Sequence, residues 1–177
     1  VSRIILQAED QALKELLEQR IHTPKQGQAL DLGTGRGNCI KLIPPDIIKL
    51  YAIDKSFEMV ALTSKKYKNV EISVGDARHT LFPNKSMDLI LCVGVSEYIA
   101  EIDVLIKEIS RVLNDRGFAI ITSSPPNIFN HFRKLAGHKL YLRSDALMTQ
   151  NISGGNFKIV RINHTLLQDQ YLLTKSS

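Results

Sequence analysis

The chain has 177 residues, of which 44% are hydrophobic and 23% are charged, and its net charge is +5. This length and composition are typical of one soluble globular domain, and they argue against two domains. The chain has no apolar run long enough to cross a bilayer, no signal-peptide pattern in its start "VSRIILQAED", and too few cysteines for a disulfide scaffold or a zinc site. These absences together predict a cytoplasmic location.

The predicted elements begin with an amphipathic helix over residues 3–20, in which leucine and isoleucine recur at helical spacing among acidic residues. Pro and Gly in "HTPKQG" (residues 22–27) are predicted to end this helix. Strands and helices then alternate along the chain. The predicted strands are "QALDLG", "IIKLYAID", "VEISVGD", "MDLILCVGV" and "FAIITSS".

The segments between these strands predict helices. "GNCIKLI" is predicted to form the first, Ser56 can cap the second, and residues 101–113 repeat apolar side chains at helical spacing in the third. "NDRG" is predicted to be the turn that leads into the fifth strand. Because strands alternate with helices, the sequence predicts a parallel sheet covered on both faces.

The pattern changes after the fifth strand. A loop-rich stretch over residues 125–143 and a short helix lead to the last two strands, "FKIVRINH" and "QYLLTK". Too few residues separate these strands for a crossover, so they are predicted to pair as an antiparallel hairpin. The predicted fold is α/β: a doubly wound, seven-stranded, mostly parallel sheet with a C-terminal antiparallel hairpin, in one domain over residues 1–177.

The glycine-rich segment "LDLGTGRG" lies between the first strand and the helix predicted to follow it. It places Gly33, Gly35 and Gly37 in a G-x-G-x-G pattern preceded by Asp31. Such a turn lets backbone N–H groups approach a ligand, although glycine also serves simple tight turns. Alone, therefore, this segment indicates a ligand only weakly.

Two further carboxylates are in register with the glycine-rich segment. Asp54 ends the second strand, where a carboxylate can accept hydrogen bonds from two ribose hydroxyls. Asp76 ends the third strand, where a carboxylate can accept a hydrogen bond from the amine of adenine. Each aspartate alone could equally be a turn or cap residue. Three such features at successive strand ends favour a site for a nucleoside-containing cofactor.

With these residues in place, the sequence resembles the class I S-adenosylmethionine-dependent methyltransferases from about residue 28 to the end of the chain. "LDLGTGRGN", "YAID", "VGDA" and "MDLILCVGVSEYI" are similar to the family's first four motifs. The resemblance implies that S-adenosyl-L-methionine is the cofactor and that the N-terminal helix, within residues 1–22, lies near the cofactor mouth.

The resemblance also implies which residues hold the cofactor. Gly33 and Gly35 would face the methionine moiety, and Asp31 would help to hold its ammonium group. Asp54 would bind the ribose, and Asp76 would bind the adenine together with the neighbouring N–H. The full cofactor-binding set that it implies is Asp31, Gly33, Thr34, Gly35, Gly37, Asp54, Lys55, Asp76, Ala77 and Val93.

Within the family, residues 123–157 resemble small-molecule methyltransferases of the ubiquinone/menaquinone biosynthesis type (methyltransferase type 11). Residues 125–143 are predicted to form a substrate-side lid, with Asn127, His131 and Arg133 as candidates to contact the methyl acceptor. For His131 and Arg133, plain solvent exposure is the competing interpretation.

The end of the fourth strand supplies the only catalytic candidates, Glu97 and Tyr98. Many relatives carry Glu-His there, so the acid–base role of that histidine is not transferred to Tyr98. Tyr98 is equally interpreted as a packing residue. The spacing of potential ligands predicts no metal site.

"SSPPN" (residues 123–127) resembles the Pro-Pro motif of amine-methylating enzymes that act on nucleic acids. In those enzymes the motif follows the fourth strand and ends in an aromatic residue, whereas here it follows the fifth strand and ends in Asn127. We therefore predict that Pro125 and Pro126 do not clamp a substrate amine.

The function predicted from the sequence is methyl transfer from S-adenosylmethionine to a small-molecule acceptor by in-line displacement. One alternative is an RNA methyltransferase, because from residue 128 onward the chain has seven basic and two acidic residues. The other is a non-catalytic module that binds the cofactor.

Overall fold

The alternating pattern of strands and helices folds as the sequence predicts. The computed structural model describes residues 3–19, 27–137 and 139–176, so the predicted helix stop at 22–26 lies outside the described residues. The helices are α1 (Arg3–Glu18), α2 (Phe57–Lys66), α3 (Ile102–Val112), α4 (Ile128–Leu135) and α5 (Asp145–Gly154). The strands are β1 (Gly27–Leu32), β2 (Ile47–Asp54), β3 (Glu71–Val74), β4 (Met87–Cys92), β5 (Leu113–Ser123), β6 (Phe157–His164) and β7 (Asp169–Lys175).

The seven strands form one sheet in the order β3-β2-β1-β4-β5-β7-β6. The pairs among β1 to β5 are parallel, and β7 is antiparallel to both β5 and β6. The strand order reverses between β1 and β4, and in such sheets ligands bind beyond the carboxyl ends of the strands at this point. The predicted fold class, including the C-terminal antiparallel pair, is confirmed.

Each face of the sheet has its own hydrophobic core. On one face, α3 and α5 pack against the sheet through residues such as Leu105, Ile106 and Met148, all of them buried. On the other face, Leu13, Leu16 and Leu17 of α1 cover β1, β4 and β5. The strands β4 and β5 are therefore buried on both sides, which explains their continuous apolar sequences.

Three helices begin at a side-chain cap. Ser56, Asn127 and Ser144 each accept a hydrogen bond from the backbone N–H three residues later, at 3.3, 2.9 and 3.3 Å. Each cap satisfies one of the N–H groups that a helix start leaves without a partner. The cap predicted at Ser56 is confirmed. Among the described residues, no helix has the length and apolarity to cross a bilayer.

Three local predictions are corrected. "GNCIKLI" forms turns and a short 3-10 helix at Ile40–Leu42, because Gly37 has positive φ and Pro44 follows too closely for a full α-helix. "NDRG" is not a turn before β5 but lies inside it, where the pairing with β4 shifts between Leu113 and Phe118. Residues 128–135 are not loop but the helix α4.

Candidate functional site

A cavity of about 520 Å³ opens at the carboxyl edge of the parallel strands. It lies beside the point where the strand order reverses, as expected for an open α/β sheet. Six of the sequence-predicted cofactor residues line it: Gly33, Gly35, Asp54, Lys55, Asp76 and Ala77.

The turn after β1, residues 33–37, is held close to β2. The Gly33 and Thr34 N–H groups both donate to the Ile53 carbonyl, at 2.8 and 2.9 Å. Gly33 has a φ of +71°, and a Cβ there would lie 2.4 Å from a methyl group of Val95. A Cβ at Gly35, whose φ is +51°, would meet only the Gly33 carbonyl at 4.0 Å. Gly33 therefore allows close packing, whereas Gly35 leaves open space on the cavity side.

Gly37 serves the packing of α2 and does not line the cavity. A Cβ at this position would lie 2.5 Å from the ring of Tyr67 and 2.9 Å from Thr63. The Tyr67 hydroxyl donates to the Gly37 carbonyl at 3.0 Å, and the Thr63 hydroxyl donates to the Gly35 carbonyl at 2.6 Å. Two side chains near the end of α2 thus fix the shape of the turn.

Asp31 and Thr34 lie buried at the end of β1 and in the turn, with exposed fractions of 1% and 6%. Asp31 Oδ2 and the Thr34 hydroxyl have no hydrogen-bond partner. Burial raises the pKa of the Asp31 carboxyl from its ordinary 3.8 to about 6. A buried carboxylate oxygen without a partner is costly, and a cation beside it would offset that cost.

Asp54 is the last residue of β2 and lies against the glycine turn. Its Oδ2 accepts the Gly35 N–H at 2.7 Å and its Oδ1 accepts the Ser56 N–H at 2.9 Å. Each carboxylate oxygen has two lone pairs, so each keeps one for a further donor. Asp54 can therefore support the turn and accept two hydroxyl groups from a ligand at the same time.

Asp76, after β3, is engaged by Arg78. Its Oδ1 accepts from the Arg78 N–H and Nε, at 2.9 and 3.1 Å, and its Oδ2 accepts from Nη2 at 2.7 Å. The guanidinium lowers the pKa of Asp76 to about 2. Arg78 also reaches Glu101, at 3.0 Å, across the cavity rim. One lone pair of Oδ2 remains for a ligand amine. The sequence analysis did not identify Arg78.

The segment after β4 forms the facing wall. Gly94, Val95 and Tyr98 line the cavity, whereas Val93 packs against the core on the α1 side of the sheet. The two residues after Val93 thus stand where the sequence analysis placed Val93. Tyr98 is half-exposed at the rim, at 51%.

Glu97 lies behind this wall and is 1% exposed. Its Oε1 is 3.4 Å from the Ser124 hydroxyl and 3.8 Å from Arg133 Nη2, and its Oε2 has no hydrogen-bond partner. Burial raises the pKa of the Glu97 carboxyl. Of the two catalytic candidates, therefore, only Tyr98 is among the residues that line the cavity.

Arg143 holds the segment that carries Tyr98. Its guanidinium donates to the carbonyls of Ser96, at 2.8 Å, Ile99, and Ala100, at 3.1 Å. Its side chain is buried, at 5% exposure, although the connection before α5 in which it lies is partly exposed. Nothing in the local sequence distinguished Arg143 from the other basic residues, because its partners lie more than 40 residues away.

Residues 125–143 lie at the same edge of the sheet. Asn127 caps α4 and donates to the Leu166 carbonyl at 2.8 Å, and Arg133 turns inward toward Glu97. His131 is exposed and contacts the Asn127 carbonyl at 2.7 Å. Of this segment, only Tyr141 lines the cavity among the described residues. Asn127, His131 and Arg133 are therefore not on the cavity wall.

Pro125 and Pro126 connect β5 to α4, and neither lines the cavity. The Pro125 carbonyl accepts from the Asn127 N–H at 2.8 Å and from Asn130 Nδ2 at 3.0 Å. Both contacts organise the start of α4.

The helix α1 reaches the same edge through Glu9, which is 7% exposed. The Glu9 carboxylate accepts from the Leu167 N–H at 3.1 Å and from Gln170 Nε2 at 3.3 Å, in and beside the turn between β6 and β7. None of the described residues that line the cavity belongs to α1. Its place beside the cofactor mouth stays a prediction.

Comparison with known proteins gives a family match over the parallel strands of the sheet, β1 to β5. The family model described as "Methyltransferase domain" matches residues 30–121. The chain is 26% identical over 137 residues to the demethylmenaquinone methyltransferase of Thermotoga maritima, covering 76% of this chain and 59% of that protein. The chain thus spans less than two thirds of this curated relative's length.

Two solved structures share the fold at low identity. Magnesium protoporphyrin IX methyltransferase from Synechocystis PCC 6803, with bound SAH, superposes with a TM-score of 0.80 at 17% identity, covering 98% of this chain and 85% of that one. Geranyl diphosphate C-methyltransferase from Streptomyces coelicolor superposes with a TM-score of 0.80 at 12% identity, covering 96% and 80%. The family model covers more than half of this chain, so the chain belongs to the methyltransferase domain family, as its resemblance to the class I enzymes predicted.

Proposed function

We propose that this chain binds S-adenosyl-L-methionine and transfers its methyl group to a small-molecule acceptor. The observation that carries the proposal is that Asp54, which ends β2, and Asp76, which follows β3, line one cavity with the glycine turn, while Asp31 lies buried at the end of β1 beside that turn. The acceptor class draws support from relatives whose names specify small molecules, among them a demethylmenaquinone methyltransferase.

The residues fit this cofactor part by part. Asp31 Oδ2, buried and without a partner, suits the ammonium group of the methionine moiety. The free lone pairs of Asp54 suit two ribose hydroxyls, and the remaining lone pair of Asp76 suits the exocyclic amine of adenine. The open space at Gly35 allows the backbone to lie close to the ligand.

The cofactor supplies an activated methyl group on a positively charged sulfonium. The protein then has to align the acceptor and keep water away, and these two effects can account for much of the rate enhancement. Arg143 fixes the wall that carries Tyr98 and Ile99, and Tyr141 faces the same cavity. Glu97 lies buried behind that wall and can accept a proton only if this segment moves.

The form of α4 favours a small-molecule acceptor over RNA. A surface that binds RNA combines outward-facing Lys and Arg with aromatic side chains on which bases stack, and it has little use for exposed aliphatic residues. Here the helix that follows β5 exposes the aliphatic Ile128 and Leu135 on the same side as Phe129 and Phe132. Of the basic residues in this stretch, Arg133 and Arg143 are directed inward, toward Glu97 and toward backbone carbonyls, and only Lys134 and Lys139 are exposed among residues 128–137 and 139–143.

Calorimetry of cofactor binding tests the proposal. The wild-type protein should bind S-adenosylmethionine and not NAD, and Asp54→Ala should weaken binding by roughly 1–3 kcal/mol, the cost of losing hydrogen bonds to a charged acceptor. Asp115→Ala is the matched control, because Asp115 is exposed in the shifted part of β5 and pairs only with lysines.

Equal affinity in wild-type and Asp54→Ala protein would contradict the assigned site. Methyl transfer itself is tested with radiolabelled cofactor against a set of metabolites and against RNA. Labelling of RNA alone would favour the RNA alternative, and labelling of nothing would favour a non-catalytic module.

A further inference from the structure

The helix α4 has an inverted distribution of polar and apolar side chains. Four of its eight residues, Ile128, Phe129, Phe132 and Leu135, are 65%, 45%, 62% and 82% exposed. On the other side, Asn130 is fully buried and donates from Nδ2 to the carbonyls of Pro125 and Leu167, each at 3.0 Å. A surface helix normally turns its apolar side toward the core, so this arrangement is the reverse of the usual one.

The exposed apolar residues lie together on one side. At about 100° per residue, the four side chains fall within an arc of about 120°, and Asn130 lies on the opposite side. We call Ile128, Phe129, Phe132 and Leu135 the apolar face of α4. Because water contacts this face, leaving it uncovered is costly, and contiguous exposed apolar patches of this kind mark interaction sites.

The stretch of sequence that contains this face carries charges of one sign. The chain contains no Asp or Glu from residue 116 to residue 144. Within this stretch Lys134 and Lys139, close to the apolar face in sequence, are exposed. An apolar helix face with exposed lysines nearby is the composition of helices that lie in the interface of an anionic membrane.

We propose that the apolar face of α4 docks on the surface of an anionic lipid bilayer, with its four side chains in the acyl boundary and Lys134 and Lys139 at the headgroups. A second copy of this chain is the weaker occupant, because it would leave Lys134 and Lys139 without an anionic partner. A nucleic acid is weaker still, because bases could stack on Phe129 and Phe132 but would leave the aliphatic Ile128 and Leu135 against polar sugar and phosphate.

Vesicle flotation tests this proposal directly. Wild-type protein should float with vesicles of equimolar phosphatidylcholine and phosphatidylglycerol, and less protein should float as salt screens the lysines. The double variant Phe132→Ser/Leu135→Ser should bind these vesicles roughly tenfold or more weakly, because it removes two large apolar contacts. The double variant should keep the wild-type melting temperature, since both residues are exposed.

The matched control is Phe57→Ser/Leu81→Ser. It makes the same kind of change at residues that are 71% and 101% exposed, in α2 and in the connection between β3 and β4. It should float as the wild type does. An equal loss of flotation in the control and in the α4 variant would overturn the proposal, because it would show that exposed apolar residues bind vesicles wherever they lie.

Two other results would also overturn it. One is absence of flotation with the anionic vesicles at low salt. The other is self-association of the wild type in ultracentrifugation that the α4 variant abolishes while neither protein floats, which would assign the face to a second copy. Calorimetric cofactor binding by the wild type is measured separately, so failure of the docking proposal and failure of the proposed function are distinguishable.

Discussion

At the scale of single residues, Asp31 is a buried side chain whose ionisation a bound cation would favour. It lies buried behind the glycine turn, one of its oxygens has no partner, and burial raises its pKa to about 6. When no cation is beside it, this carboxyl is therefore half-protonated at about pH 6. Binding of an ammonium group would favour the ionised form.

The first prediction concerns stability against pH. The folded Asp31 carboxyl holds its proton more tightly than the unfolded chain does, so the free energy of unfolding should fall as pH rises from about 4 to about 6. For a shift of this size the fall is roughly 3 kcal/mol. Asp31→Asn should lack this fall. Denaturant unfolding of both proteins across this pH range measures it.

Glu97, whose pKa is also raised by burial, contributes a fall of the same sign to both proteins. The difference between wild type and variant therefore isolates Asp31. Saturating S-adenosylmethionine should flatten the wild-type curve. Parallel curves for the two proteins without cofactor would show that Asp31 titrates normally.

The sequence identified the carboxylates but not what restrains them. Asp31, Asp54 and Asp76 follow local strand patterns, so their positions at strand ends could be predicted. Arg78 donates three hydrogen bonds to the Asp76 carboxylate and one to Glu101. The contact with Glu101 forms only when the start of α3 lies beside the end of β3. A residue whose role depends on such a contact has no local sequence signal.

At the scale of elements, Arg143 holds the segment between β4 and α3. Its guanidinium, 5% exposed, satisfies the carbonyls of Ser96, Ile99 and Ala100. The backbone N–H of the same residue donates to the Ser124 carbonyl at 3.0 Å. One residue thus ties the connection before α5 to the ends of β4 and β5.

The second prediction follows from this geometry. Lysine at position 143 would keep the charge but could not reach all three carbonyls, so Arg143→Lys should lower the free energy of unfolding by about 2–3 kcal/mol. Arg161→Lys is the matched control, because Arg161 is exposed on β6 and makes one hydrogen bond to Asn163. It should change stability by less than about 0.5 kcal/mol.

Denaturant unfolding measures both variants. Equal stability of Arg143→Lys and wild type would contradict the assigned role. A lower melting temperature for Arg143→Lys with unchanged cofactor affinity is compatible with it, because Arg143 itself does not line the cavity.

The elements that the sequence predicted correctly are those whose patterns follow the rules for buried strands and for helices packed on a core. The strands β1 to β5 and α3 are of this kind. The helix α4 was missed although its apolar residues recur at helical spacing, because it has only eight residues and directly follows the turn signal of Pro125 and Pro126. The segment after β1 was misassigned because an apolar run between Gly37 and Pro44 has helical composition but no room for a helix.

At the scale of the whole molecule, the cavity is lined by two parts of the chain, one at or after the ends of β1, β2 and β3 and the other after β4 and β5. The first part supplies the glycine turn, Asp54 and Asp76, with Asp31 buried beside the turn. The segments after β4 and β5 supply Tyr98, Ile99 and Tyr141. The first part follows from local patterns, whereas the second depends on Arg143 and other contacts between distant residues. The sequence therefore predicted the proposed cofactor side in detail and the acceptor side only as a region.

The last prediction is that the first part of the cavity wall binds the cofactor and the second part binds the methyl acceptor. Tyr141 lines the cavity, and its backbone N–H donates to the Glu97 carbonyl at 2.7 Å, a bond that survives replacement of the side chain. Tyr141→Ala should therefore keep the fold and the cofactor affinity, within about twofold, while it raises the KM for the methyl acceptor. Asp54→Ala should show the reverse pattern. Calorimetry gives the cofactor affinity, and initial rates with a labelled acceptor give KM. If Tyr141→Ala instead weakens cofactor binding and leaves the acceptor KM unchanged, Tyr141 belongs to the cofactor pocket and the division fails.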